Sequence, residues 1–183
     1  LYKKTLDRLK AELKKQLPEI EANGDWLWHH PEAGFKETET QKYCLEVLKN
    51  HGFEACTWPD VTGFTCTYDT GRPGPCVMIM GEMDSLICYS HPDCNPETGA
   101  AHACGHSIQV ATAMGAFITL TESGVLENFG GKVMLAGVPA EECLEIEWRT
   151  REIQKGRLHY LCGKAELLYR GAFDGVDIVI SMH

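Results

Sequence analysis

The chain has 183 residues, a formal net charge of −9 and 44% hydrophobic residues. This length is sufficient for one domain with a sizeable core, and the composition is ordinary for a globular protein. An acidic surface repels phosphate groups, so we exclude nucleic acid and anionic membranes as partners.

Nine cysteines are a high count for this length, and a secreted disulfide scaffold is one interpretation. The odd number, the size of the chain and the position of Cys44 and Cys76 inside apolar runs favour free thiols instead. We therefore expect a cytoplasmic protein whose cysteines are reduced and mostly belong to the core.

The chain begins with a predicted amphipathic helix, LYKKTLDRLKAELKKQL. Pro18 lacks a backbone N–H and should end or kink this helix. A second helix is predicted for residues 40–50, with Leu45 and Leu48 inward and Gly52 after its end. The apolar stripe of the first helix consists of four leucines at helical spacing: Leu6, Leu9, Leu13 and Leu17.

Four segments predict strands. Residues 63–69 alternate between apolar and polar side chains, which indicates a half-buried strand. Residues 76–81 and 132–138 are continuous apolar runs, typical of strands buried on both faces. The final run, VDIVISMH, predicts another buried strand with His183 at its end.

The segments between these strands predict one loop and three helices. Residues 85–103 form a predicted long loop, and residues 107–122 form a helix that is apolar nearly all round. Residues 143–170 are charged and predict two helical pieces. Because strands alternate with helices along the chain, we predict an α/β sandwich.

Polar residues follow three of the predicted strands. Asp84 follows one strand, Glu141 and Glu142 follow the next, and His183 follows the last. In α/β sheets, sites form at the carboxyl ends of strands, so we expect these residues at one place. Asp84 could orient a metal-binding histidine through a hydrogen bond, or it could cap a loop.

The segment HACGH places His102, Cys104 and His106 two residues apart. In an extended backbone such side chains share a face, about 6.6 Å apart. Cys104 and His106 could then bind one metal ion, or the thiolate could bridge two. A core cysteine that precedes a helix is the alternative interpretation.

Glu141 and Glu142 are adjacent acids after a strand. One carboxylate can bind a metal ion while the other takes a proton from a water molecule. Two solvated acids at a helix start are the alternative, because carboxylates favour that end of the helix dipole. A single histidine such as His183 is also more often structural than a ligand.

Five motifs occur in a familiar order: HHPEAGFKETET, MGEMDSL, TGAAHACGHS, GVPAEE and GAFDGVDIVISMH. This order resembles the M20 metallopeptidases, and within them the branch of hippurate, auxin-conjugate and aminobenzoyl-glutamate amidohydrolases. The resemblance extends from Trp26 to the last residue. It implies a catalytic domain with a mixed, mostly parallel sheet flanked by helices, of which residues 1–183 are the N-terminal portion, without the lid domain.

The resemblance also implies a role for each matching residue. Cys104 corresponds to a bridging metal ligand, and His106, Glu142 and His183 correspond to further ligands. Glu141 corresponds to the general base. The implied cofactors are two divalent ions, zinc, manganese or cobalt, and a last histidine ligand lies in a region of the family that this sequence does not contain.

We therefore expect metal-dependent hydrolysis of an amide bond in an N-acyl amino acid or dipeptide-like conjugate, through a metal-activated water with Glu141 as general base. The expected partner is a small-molecule amide, and the family's lid domain offers a surface for a homodimer. These 183 residues alone are expected to be inactive. Two alternatives stay open: a thiol hydrolase with Cys104 as nucleophile, and a non-catalytic metal-binding or scaffold fragment.

Overall fold

The computed structural model describes residues 2–183, so Leu1 of the predicted first helix lies outside the described residues. The strands are β1 (Ala55–Thr57), β2 (Phe64–Asp69), β3 (Cys76–Glu82), β4 (Leu86–Ile87), β5 (Ala100–Ala101), β6 (Lys132–Val138) and β7 (Ile178–Ser181). The helices are α1 (Tyr2–His29), α2 (Thr38–Asn50), α3 (His106–Glu122), α4 (Ile146–Gln154) and α5 (Gly163–Tyr169), with a 3-10 turn at Val125–Asn128.

Five of the strands form one mixed sheet in the order β1-β2-β6-β3-β7. β3 pairs in parallel with β6 on one side and with β7 on the other. β2 pairs antiparallel with both β1 and β6, so it alone runs against the other four strands. The mixed, mostly parallel sheet flanked by helices is therefore confirmed, and β4 and β5 form a separate short hairpin within the predicted long loop.

Helices cover both faces of the sheet, because successive residues of a strand point to opposite sides. On β6, Leu135 joins a core cluster with Phe117 of α3 and with residues of α1 and α2. Its neighbour Ala136 joins a second cluster with Leu167 of α5. The sheet is thus packed between α1–α3 on one face and α5 on the other.

The first helix continues through Pro18 to His29, so the proline does not end it, and the kink expected as the alternative stays a prediction. Packing fixes the part of α1 that follows the proline: Leu27 is fully buried, and Ile20 lies against Gly115 of α3, where a Cβ atom would come within 2.3 Å of it. The second helix ends as predicted, with Gly52 in the left-handed region at φ 79°. Among helices of the described residues, none has the length and hydrophobicity that a membrane span requires.

The last strand was predicted to be buried, and this was wrong. β7 is an edge strand whose one partner among the described strands is β3, and Ile178 and Ile180 are each 50% exposed. An apolar run indicates a strand that suits burial, but it does not reveal whether another element covers it.

The expectation that most cysteines belong to the core was also wrong. All nine are free thiols, and three of them are buried, Cys44, Cys66 and Cys76. The others lie on loops, at element ends or on the short strand β1, where less of the chain covers them.

Candidate metal centre

The carboxyl ends of β3, β6 and β7 meet at one edge of the sheet, and polar side chains follow each strand. The Met83 N–H donates to the Val138 carbonyl at 2.8 Å, which holds the ends of β3 and β6 side by side. Glu82 is the last residue of β3 and Asp84 lies two residues after it, and Glu141 and Glu142 follow β6. The residues predicted at successive strand ends therefore lie at the same edge.

Cys104, His106 and His183 converge at this edge. Each offers a ligand atom that lies within 4.8 Å of the other two, and Cys104 Sγ is 3.4 Å from His183 Nε2. The geometry that joins Cys104 and His106 is a turn, not the extended backbone expected from the sequence. Gly105 adopts φ 105°, and His106 is the first residue of α3.

Asp84 contacts the ring of His106 through both its main chain and its carboxylate. The His106 Nδ1 atom donates to the Asp84 main-chain carbonyl at 2.9 Å and lies 3.3 Å from the Asp84 carboxylate. The other carboxylate oxygen of Asp84 accepts the Glu142 N–H at 2.9 Å. Asp84, which is fully buried, thus links the loop after β6 to α3, and its role in orienting a metal ligand stays a prediction.

The Nε2 atom of His106 faces the carboxylates. It lies 3.1 Å from Glu82 Oε2 and 3.9 Å from Glu141 Oε2, yet it has no hydrogen bond of good geometry. Burial acts to lower the pKa of His106, but contacts with Asp84 and Glu82 raise it well above its ordinary value. Without a cation, the carboxylates therefore favour a charged imidazolium here.

The thiol of Cys104 is surrounded by acids as well. Burial, followed by the neighbouring Glu142 carboxylate, raises the pKa of Cys104 to about 11. One carboxylate oxygen of Glu142, Oε1, is buried without a hydrogen-bond partner. Glu142 thus lies beside Cys104, and Glu141 Oε2 lies 3.9 Å from His106 Nε2.

His102, the first histidine of HACGH, is buried, but it is not one of the three residues whose ligand atoms converge. Neither of its ring nitrogens has a hydrogen-bond partner. Burial lowers the pKa of His102 to about 4, so its imidazole is neutral at physiological pH.

Two residues of the site, Glu82 and Lys164, were not predicted from the sequence. Glu82 is buried, and contacts with His106 and Lys164 hold its pKa well below the usual range although burial alone would raise it. A carboxylate inside the apolar run CVMIMGEM was a usable signal, because such a group needs a charged partner. Lys164 gave no signal, since it stands in a charged stretch outside the motifs.

The residues at this edge fit divalent cations. Sulfur, imidazole nitrogen and carboxylate oxygen together suit zinc, manganese or cobalt. The buried atoms His106 Nε2 and Glu142 Oε1 lack hydrogen-bond partners, which is costly unless another group satisfies them. The ligand roles of Cys104, His106, Glu142 and His183 and the base role of Glu141 stay predictions.

The chain is similar to several enzymes over nearly its whole length. An N-acyl-L-amino acid amidohydrolase of Geobacillus stearothermophilus is 26% identical in an alignment of 183 positions, which covers 95% of this chain and 44% of the relative. An N-acetyl-L-cysteine deacetylase of Bacillus subtilis is 27% identical, over 93% of this chain and 36% of the relative. No protein-family model matches the chain.

A solved structure has the same fold. A dinuclear metal-binding peptidase of the M20 family from Bacillus subtilis aligns with a TM-score of 0.71 and 25% identity, over 95% of this chain and 43% of the other. The chain therefore spans less than half the length of the proteins it matches.

Proposed function

We propose that the complete protein hydrolyses an amide bond in an N-acyl amino acid or dipeptide-like conjugate. The premise is that this chain's relatives and structural neighbours are M20 peptidases and amidohydrolases. The relatives are named as an N-acyl-L-amino acid amidohydrolase and an N-acetyl-L-cysteine deacetylase, so both names refer to N-acylated amino acids. Because the chain covers less than half of them, the activity is proposed for the complete protein.

One observation carries the proposal. A thiol, two imidazoles and two adjacent carboxylates meet where parallel strands end, and ligand atoms of Cys104, His106 and His183 lie within 4.8 Å of each other. The structural neighbour is described as binding two metal ions. This donor set supports a centre held by Cys104, His106, Glu142 and His183.

The chain's own residues supply proton transfer and orientation. The chemistry that bound divalent cations contribute is polarisation of the substrate carbonyl and acidification of the attacking water. Glu141 takes the proton of that water and passes it to the leaving amine. Asp84 holds the ring of His106 through Nδ1, so that Nε2 points toward the site.

The alternative in which Cys104 is a nucleophile has less support. A thiol nucleophile must be activated by a base or a lowered pKa. Here burial and acids raise the pKa of Cys104 to about 11, and His183, 3.4 Å away, is exposed at the site edge. The acidic surroundings favour a thiolate that forms on a cation over a free nucleophile.

The proposal is tested by Glu141→Gln in the complete protein. We expect metal content to stay unchanged, because the four ligands remain. The kcat for N-acetyl amino acids should fall by roughly 10²- to 10⁴-fold, the usual contribution of general-base catalysis. Steady-state kinetics and elemental analysis of the same preparation provide both numbers.

Glu147→Gln is the matched control, since Glu147 is an exposed acid on the first turn of α4. It should keep both kcat and metal content. Loss of metal together with activity in Glu141→Gln would show that Glu141 is a ligand. A kcat equal to that of the wild type would exclude it as the base.

A further inference from the structure

Lys164 of α5 reaches across the sheet edge into the candidate site. Its ammonium forms an ion pair with Glu82 Oε1, and Nζ lies 3.7 Å from Glu141 Oε1. The Glu82 side chain is 4% exposed, whereas that of Lys164 is 41% exposed. A buried carboxylate therefore anchors an ammonium whose other side faces Glu141.

The backbone around this bridge is held closely. The Gly163 N–H donates to the Ala140 carbonyl at 3.0 Å, and a Cβ atom at Gly163 would lie 1.7 Å from the Pro139 carbonyl oxygen. The start of α5 is thus pressed against the turn that carries Glu141. This close approach sets Lys164 beside Glu141.

A buried carboxylate fixes the same turn from its other side. The Ala140 N–H donates to Glu37 Oε1 at 2.8 Å, and Thr62 donates its hydroxyl to the other oxygen of Glu37. Ala140 adopts φ 50°, a conformation that non-glycine residues rarely take. Such a conformation persists only where the surroundings hold it in place.

We propose that Lys164 is a positioning residue for Glu141: anchored by Glu82, its ammonium holds the Glu141 carboxylate at the metal edge of the site. The inference rests on the proposed function, in which Glu141 is the base. The Glu141 side chain is partly exposed and free to rotate, and the opposite charge of the ammonium 3.7 Å from its Oε1 restrains it. A lysine tied to a buried acid provides that charge at a defined point.

The test uses Lys164→Met and Lys164→Arg in the complete, metal-loaded protein. Methionine keeps the length of the side chain and removes the charge, so kcat should fall on the order of 10²-fold, the loss that a misplacement of about 1 Å produces. KM and metal content should change little, because substrate contacts and ligands remain. Arginine keeps the charge and should restore most of the kcat.

The matched control is Lys155→Met. Lys155 also pairs with a nearly buried carboxylate, Glu152, at 2.7 Å, and its side chain is 53% exposed. It lies outside the site, so kcat should not change. Thermal unfolding of all variants separates a loss of stability from a loss of positioning.

Combining Lys164→Met with Glu141→Gln identifies the route of the effect. If Lys164 acts through Glu141, adding Lys164→Met to the Glu141→Gln variant should alter kcat by less than about twofold. A further loss near 10²-fold there, or a loss of metal in Lys164→Met, would overturn the inference while leaving the proposed function intact. A Glu141→Gln protein with normal kcat would overturn both.

Discussion

Gly163 stands where two backbone segments of the site approach most closely. Replacing it with alanine would place a Cβ atom 1.7 Å from the Pro139 carbonyl oxygen. Because that atom belongs to the backbone, it cannot rotate away, and α5 must shift. We expect Gly163→Ala to lower the free energy of unfolding by about 1–3 kcal/mol, the usual cost of overpacking, as measured by urea denaturation.

Gly24→Ala is the control for this substitution. Gly24 lies in α1, and a Cβ atom there would meet the terminal methyl of Ile108 at 3.2 Å, which can move aside. Alanine also favours a helix interior over glycine, so stability should be kept or raised. Equal destabilisation by both substitutions would show that the contact at Gly163 has no special cost.

Individual site residues were predictable to different degrees. Cys104 and His106 stand in a compact motif, and His183 closes a strand, so the sequence marked all three. Glu82 is visible only as an acid within an apolar run. Lys164 could not be found, because its contact with Glu82 depends on how α5 docks against the turn after β6, which no local pattern encodes.

His51, directly after α2, contacts Glu122 at the end of α3 and Glu19 within α1. Its Nδ1 lies 2.6 Å from Glu122 of α3, and its Nε2 lies 3.1 Å from Glu19 of α1. Burial acts to lower the pKa of His51, but hydrogen bonds with the two glutamates raise it above its ordinary value. The protonated ring therefore ties α1, α2 and α3 together.

This arrangement predicts pH-dependent stability. Because the folded-state pKa is raised, the contribution of His51 is fully present below the unfolded pKa of about 6.5 and is lost as pH rises through the folded value. Urea denaturation of the wild type and His51→Gln should differ more at about pH 5.5 than at about pH 9. His29→Gln, which removes an exposed histidine of α1, controls for histidine loss, and a pH-independent difference for His51 would contradict the prediction.

The secondary structure was largely predictable, and the exceptions have physical causes. β3 and β6 were recognised because parallel strands between helices are apolar throughout. The exposure of β7 was missed, since residue pattern reports the type of an element and not its neighbours. Pro18 was expected to end or kink α1, and it does not end the helix, because packing between Ile20 and Gly115 holds the part beyond the proline in place.

For the whole molecule, the α/β class and the sheet edge that carries the site followed from the order of strands and helices. The alternation of apolar runs and helices placed polar residues at the carboxyl ends of strands, and there the structure brings them together. The order of strands in the sheet could not be deduced, because it depends on contacts between distant segments. β6 lies between β2 and β3 although it follows both in the chain.

The most direct test of the central claim is metal removal from the complete protein, followed by a hydrolysis assay on N-acetyl amino acids before and after zinc or manganese is restored. The site combines carboxylates with a thiol of raised pKa, and in this account these groups bind the cations that hydrolysis requires. Hydrolysis should therefore disappear when the metal is removed and return when it is added back. Hydrolysis that persists in metal-free protein and stops on alkylation of Cys104 would contradict this account and support a thiol nucleophile.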